Sequence, residues 1–228
     1  MGLNNRVKNR SAGSANEKIA GQPITAYQLG KSAGAWRNGA GTESDGQDTN
    51  SQNRPTRHLT KTARSLIIYF SRSGSTELLA SKIAKQTSAD LLEIVVERPY
   101  AASYPQTLSR ANLERESANF PELNLQVPDL SRYETIYLGY PIWAMTLAHP
   151  MTAFLMANGR QLTHKQIAPF MTEGGYGQGN SVERIQDILE NQGSQKNRFV
   201  PALVVDGNQV DQADKRVAAW VAQVQSGD

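Results

Sequence analysis

Cysteine is absent from this chain of 228 residues. That excludes disulfides, thiolate metal sites, iron–sulfur ligation and a cysteine nucleophile. It fits a reducing compartment, so the expected location is cytoplasmic. Histidine is scarce: His58, His149 and His164 lie far apart, with no H-E-x-x-H zinc motif among them. No apolar run approaches the roughly 20 residues of a membrane span. The opening "MGLNNRVKNRSAGSANEK" is basic but leads into no apolar stretch, so it does not read as a secretory signal. Arg6 stands where a myristoylation signal takes Ser or Thr.

Acidic charge is also short at the start of the chain. Residues 1–63 carry nine Lys/Arg against four Asp/Glu, whereas residues 64–228 carry fifteen against seventeen. The overall net charge of +3 therefore conceals a basic leader at +5 and a following domain at −2. The leader is rich in Gly, Asn, Gln, Ser and Thr, and "ITAYQL" (24–29) is its one short strand candidate. Such a composition buries too little apolar surface to offset the entropy of ordering, which predicts a disordered basic tail over 1–63. A basic arm is compatible with nucleic acid or anionic lipid. The plainer reading is a solvated tail, with no nucleic-acid partner expected.

From residue 64 onward the pattern changes. "LIIYF" (66–70), "LLEIVVE" (91–97), "TIYLGY" (135–140), "QIAPFM" (166–171) and "FVPALVV" (199–205) are short apolar runs. Near-continuous hydrophobicity of this kind suits strands covered on both faces. Between them lie helical stripes: Leu79, Ala80, Ile83 and Ala84; Phe154 and Leu155 after Pro150; Val182, Ile185, Ile188 and Leu189; and finally Val217, Trp220, Val221 and Val224. Alternating strands and helices imply a parallel sheet wrapped by helices, a doubly wound three-layer α/β/α domain over 64–228. Pro169 and Pro201 fall inside two of the strands, where each removes a ladder donor. Those strands are expected to start later or to turn the proline to an unpaired side.

The first strand runs into "SRSGST" (71–76), which holds four hydroxyls and a glycine but no acid, cysteine or histidine. A turn between the first strand and helix lies at the carboxyl edge of such a sheet, where ligands bind. Its N–H groups and the helix N-terminus suit an anion, and Gly74 lets the backbone close tightly. A terminal phosphate monoester is the natural guest; an ordinary Ser/Gly turn is the plain alternative. Other phosphate motifs fail. A Walker A loop needs lysine before its Ser or Thr, a dinucleotide fingerprint needs three glycines, and no G-x-S-x-G elbow is present. Two later turns, "GYPIWAMTLAHP" (139–150) and "TEGGYGQGNS" (172–181), would stand at the same edge. Trp143, Met145 and Tyr176 there suit a flat heteroaromatic ring.

Together "YFSRSGST", "GYPIW" and "TEGGYGQGNS" resemble the flavodoxin-like family, in the branch carrying Y-F-S-x-S-G-N-T, G-Y-P-I-W and T-x-G-G-x-G-x-G-x-S. The resemblance spans nearly all of the folded part and is closest to short-chain members. It implies a five-stranded parallel sheet of order 2-1-3-4-5 and a noncovalent FMN. It places Ser71, Arg72, Ser73, Gly74, Ser75 and Thr76 around the phosphate. Pro141, Ile142, Trp143, Ala144 and Met145 would line one side of the isoalloxazine. Glu173, Gly174, Gly175, Tyr176 and Gly177 would line the other, their backbone reaching the pyrimidine edge. Ser75 departs from the usual Asn, and Ala144-Met145 from a bulkier Trp-Gly pair. The stretch "PYAASYPQTLSRANLERES" (99–117) also resembles this branch, and a solvated amphipathic helix is expected there.

The resemblance implies electron transfer through the flavin. The partner would be a redox protein or a small acceptor such as a quinone. An FMN-dependent NAD(P)H:quinone-type reductase is the alternative, with His149 a candidate donor of a hydrogen bond or proton. A flavin-free binding module of the same fold is the third. No catalytic residue and no metal site is assigned.

Overall fold

The computed structural model describes residues 13–31 and 54–227. The rest of the expected basic tail lies outside the described residues. Residues 13–31 do not conform to the expectation of a structureless leader. Gly13–Ile19 (β1) and Gln22–Ala26 (β2) pair as an antiparallel hairpin. Its Ile19, Ile24 and Ala26 are buried against the domain that follows.

That domain alternates strand and helix. After a short edge strand, Arg57–His58 (β3), come Ser65–Tyr69 (β4), Ser75–Gln86 (α1), Asp90–Glu93 (β5) and Tyr104–Ser117 (α2). Next are Thr135–Trp143 (β6), Thr146–Leu147 (β7), His149–Asn158 (α3) and Gln166–Glu173 (β8). Ser181–Asn191 (α4), Arg198–Phe199 (β9), Leu203–Asp206 (β10) and Asp214–Ser226 (α5) complete it. The sheet has eight strands rather than five. Its path is β10-β8-β6-β4-β5-β3, with β7 paired to β6 and β9 to β8. The central strands β5, β4, β6, β8 and β10 are parallel, and β3 is antiparallel to β5.

Two apolar layers cover the sheet. On one face Met151, Phe154 and Leu155 of α3 and Ile185, Ile188 and Leu189 of α4 pack over Leu66, Ile68, Ile136 and Leu138. On the other, Leu78, Leu79 and Ile83 of α1 and Val217, Trp220 and Val221 of α5 pack over Ile67, Tyr69, Tyr137 and Phe170. The hairpin joins this second layer. Alternate residues of β4 thus feed opposite layers, as strand geometry requires.

The two prolines account for one another. β8 runs straight through Pro169, which pairs with Leu138 of β6. The fifth strand breaks at Pro201, between β9, which pairs with Gln166 and Ile167, and β10, which begins opposite Phe170. Ile167 turns its carbonyl to the Val200 N–H. Pro169, two residues on, turns its donor-less nitrogen to that same side, where the ladder is interrupted. The Pro201 carbonyl instead accepts from the Trp220 indole at 2.7 Å. The second predicted strand is also shorter than its apolar run, ending at Glu93, with Val96 bridged separately to Leu123.

Candidate functional site

The carboxyl ends of β4, β6, β8 and β10 lie side by side, and the loops that leave them form the site. Between β4 and α1 the chain crosses Ser71, Arg72, Ser73 and Gly74. Gly74, at φ +94°, adopts the left-handed backbone that favours glycine, and it stands as the N-cap of α1. It offers no side chain to the first-turn N–H groups, which keeps the positive end of the helix open to an anion. The Gly74 N–H donates to Ser71 Oγ at 3.2 Å.

Two further hydroxyls, those of Ser75 and Thr76, latch the loop to its neighbours. The Ser75 hydroxyl donates to the Gly207 carbonyl at 2.8 Å, and Thr76 shares a hydrogen bond of 2.8 Å with Thr172. Sequence pattern allots both to the phosphate. In the structure they reach the residue after β10 and the end of β8. Arg72 is buried and donates to the Ala101 carbonyl at 3.0 Å. Burial pushes its guanidinium down to about 10, which leaves it charged at neutral pH. Glu77, in the first turn of α1, is buried as well. Burial lifts its carboxyl to about 7, and a long 3.5 Å hydrogen bond from Tyr69 offsets this only in part.

Pro141, Ile142 and Trp143 close β6, all half-buried. The β6–β7 turn then passes through Ala144 at φ 48° and Met145 at φ 65°. Two consecutive left-handed residues make a primed hairpin turn, for which Asn-Gly is the favoured pair. The Met145 carbonyl accepts from the Asn180 N–H at 2.9 Å. Gly179 approaches so closely that a Cβ there would meet the Met145 carbonyl oxygen at 1.8 Å. The turn and the glycine loop after β8 are therefore clasped together. Each leaves one large apolar side chain in water, Met145 at 47% and Tyr176 at 66% exposure.

Glu173 organises the glycine loop. Its carboxylate accepts from the N–H groups of Gly175, Tyr176 and Gly177 at 2.5, 2.6 and 2.9 Å. Burial pushes this carboxyl up, but a hydrogen bond with Asp206 and the three amides outweigh it, holding the group below the usual range. These three N–H groups are thus engaged by Glu173. Because the peptide is planar and trans, the carbonyls of Gly174, Gly175 and Tyr176 point away from that carboxylate.

Trp143 is less free than its sequence position suggests. Its ring meets Tyr100, Phe70 and His149 edge-on at 5.0, 5.8 and 5.9 Å. Behind it lies a network that residue pattern only hints at. Glu114 of α2 accepts from Tyr100 at 2.8 Å and from Arg110 at 2.7 Å, and meets His149 Nδ1 at 2.9 Å. Arg110 also stacks 3.9 Å over the Tyr100 ring. Burial pushes Glu114 up, but hydrogen bonds from His149, Tyr100 and Arg110 hold it below its usual range. The helix expected to be merely solvated thus places a charged, fully bonded cluster against the Trp143 wall. Among the described residues, no cluster of acids and histidines could hold a metal ion, and no helix is long and apolar enough to cross a membrane.

Comparison with known proteins agrees with this geometry. A proposed flavoprotein from Bacteroides uniformis ATCC 8492 superposes with a TM-score of 0.58 at 24% identity, covering 71% of this chain and 99% of its own. A flavoprotein from Lactobacillus acidophilus NCFM, solved in complex with FMN, superposes with a TM-score of 0.54 at 25% identity, covering 66% and 98%. No curated protein matches. The flavodoxin family profile matches residues 64–224, most of the chain. The chain belongs to the flavodoxin family.

Proposed function

We propose that the protein binds FMN at this edge and transfers electrons through it. The observation that carries the reading is the pairing of an open helix N-terminus with Met145 and Tyr176, two exposed apolar side chains on clasped loops beside it. Exposed apolar groups on adjoining loops mark a surface that a ligand covers. The donor set fits the cofactor. Arg72, Ser73 and the α1 N-terminus suit a phosphate, while Trp143, Met145 and Tyr176 suit an apolar ring. The Thr146 hydroxyl oxygen, next to Met145, is buried without a partner among the described residues. The relative from L. acidophilus, described in complex with FMN, supports the same assignment.

Bound FMN would supply the redox chemistry. The protein's part is positional. The α1 N-terminus and Arg72 hold the phosphate. The β6–β7 turn and the glycine loop flank the ring and exclude water from its faces. The carbonyls freed by the Glu173 anchor offer acceptors at the ring edge.

A reductase that takes hydride from a nicotinamide and passes it to a quinone is the second reading. The buried Tyr100–Glu114–His149 cluster favours it, since it places a proton-bearing group behind the apolar wall. A single set of measurements tests both. Tight quenching of FMN fluorescence, with riboflavin bound more weakly, supports the site. Oxidation of NAD(P)H by the loaded protein in the presence of a quinone then selects the reductase, and its absence selects the carrier. No quenching by either flavin would favour a flavin-free module.

A further inference from the structure

The family match starts at residue 64, yet the hairpin upstream of it reaches the phosphate loop. The Tyr27 N–H donates to the Ser73 carbonyl at 3.0 Å. The Thr25 carbonyl lies against Gly74 so closely that a Cβ on Gly74 would stand 1.8 Å from its oxygen. Beyond the hairpin, the Gly30 N–H donates to the Asn208 carbonyl at 3.2 Å, and Asn208 Nδ2 donates to the Lys31 carbonyl at 2.8 Å. Asn208 follows Gly207, whose carbonyl receives the Ser75 hydroxyl. The segment from Thr25 to Lys31 therefore touches the loop at Ser73 and Gly74 and also the Gly207–Asn208 turn to which Ser75 is tied.

This contact has a direction. In a trans peptide the N–H points opposite to the preceding C=O. Tyr27 holds the Ser73 carbonyl outward, so the Gly74 N–H turns inward, where it meets Ser71 Oγ. The hairpin thus grips the loop from its carbonyl side and leaves the Gly74 N–H on the side of Ser71, away from the hairpin. It also delivers Lys31. Burial lowers the affinity of this ammonium for its proton, and so does the nearby charge of Arg72. Lys31 and Arg72 thus act on each other as like charges, and an anion bound near them would relieve that repulsion. Asn208 Oδ1, at the same junction, is buried without a partner among the described residues. It is an acceptor suited to a hydroxyl of the polyol next to a phosphate.

We propose that residues 13–31 are part of the cofactor site: the hairpin braces the phosphate loop, and Lys31 joins Arg72 in neutralising the FMN phosphate. The proposal rests on the FMN reading above and deepens it. It makes phosphate recognition depend on a segment that the family pattern does not contain.

The test compares the full-length chain with two variants, Lys31→Gln and Ile24→Asp, by titrating FMN and riboflavin and following flavin fluorescence. Ile24 is 2% exposed beneath the hairpin, so an aspartate there undocks it. Lys31→Gln is expected to weaken FMN binding about tenfold while leaving riboflavin unchanged. It should also flatten the salt dependence of FMN affinity. Ile24→Asp is expected to lose at least as much FMN affinity, again with riboflavin spared. Unchanged FMN affinity in Lys31→Gln would overturn the charge role whether or not Ile24→Asp folds. Tighter FMN binding by Ile24→Asp would overturn the brace and make the hairpin an obstruction. A full-length protein that binds FMN no better than riboflavin would sink the phosphate site itself, and with it this proposal. A full-length protein that binds FMN preferentially while both variants match it would leave the function standing and remove only the inference.

Discussion

Glu77 shows how much one residue's state depends on contacts that sequence does not display. In the string it is an ordinary acid in the first turn of a helix, where it complements the dipole. In the fold it is 6% exposed, and among the described residues its one hydrogen-bond partner is the Tyr69 hydroxyl at 3.5 Å. Burial wins over the dipole, and the carboxyl rises from 4.5 to about 7. A raised acid binds its proton more tightly in the folded state than in the unfolded one. Stability is then full below about 4.5 and falls as pH rises through 7. The loss is at most about 3.5 kcal/mol, at roughly 1.4 kcal/mol for each tenfold change in proton affinity. Urea unfolding of the wild type and of Glu77→Gln at pH 5 and pH 8 checks this. The Gln variant is expected to show a much flatter pH dependence across that range; an equally steep one would show that Glu77 is ionised in the fold. Glycines divide in a similar way. Gly74 was legible as a loop residue, but Gly139, within the motif "GYPIW", serves packing. A Cβ there would meet the Phe170 ring at 2.1 Å.

Elements were legible where one period dominates. β4, α1, α4 and α5 follow their apolar stripes, because each buries one face or stripe against the sheet layers. The fifth strand is different: its apolar run is continuous, but Pro201 splits it, and only the register of Pro169 beside it explains where. The β6–β7 turn was also unreadable. Nothing in "WAMT" announces a primed turn, since neither central residue tolerates the left-handed region well. Each costs about 1–2 kcal/mol there. The turn survives because Asn180 and Gly179 clasp it. Strain held in a turn at the carboxyl edge of the sheet leads to the prediction that the Met145 side chain is kept for binding FMN. Met145→Gly separates the two effects. It is expected to raise unfolding stability by about 1 kcal/mol, because the exposed side chain contributes little packing and the backbone strain disappears. FMN affinity is expected to fall by severalfold in the same variant. A gain in stability with no loss of FMN affinity would remove Met145 from the ring wall.

At the scale of the whole molecule, the parallel three-layer plan was legible because strands buried on both faces leave continuous apolar runs. The hairpin was not. Its buried residues are few, Ile19, Ile24 and Ala26, set among polar ones, and the surface they cover belongs to α1 and the neighbouring core far along the chain. Charge joins the same pieces: Lys82 of α1 pairs with Glu17 of the hairpin at 2.9 Å and with Asp214 of α5 at 2.7 Å. Lys82 is 2% exposed in its side chain, so removing Glu17 would leave a buried ammonium with one partner instead of two. These contacts argue that hairpin and domain unfold together. A segment that detaches on its own can cost a protein no more than its docking energy when it is damaged, because the rest stays folded. Ile24→Ala therefore reads out cooperativity. If hairpin and domain are one unit, the substitution removes buried methylenes from a shared core. It should then lower global stability by about 2–4 kcal/mol, with the urea transition remaining single. An unchanged main transition, with exchange of hairpin amides accelerated alone, would show instead that the leader docks as a separate piece. The loop over 71–76 would then have to hold its shape without it.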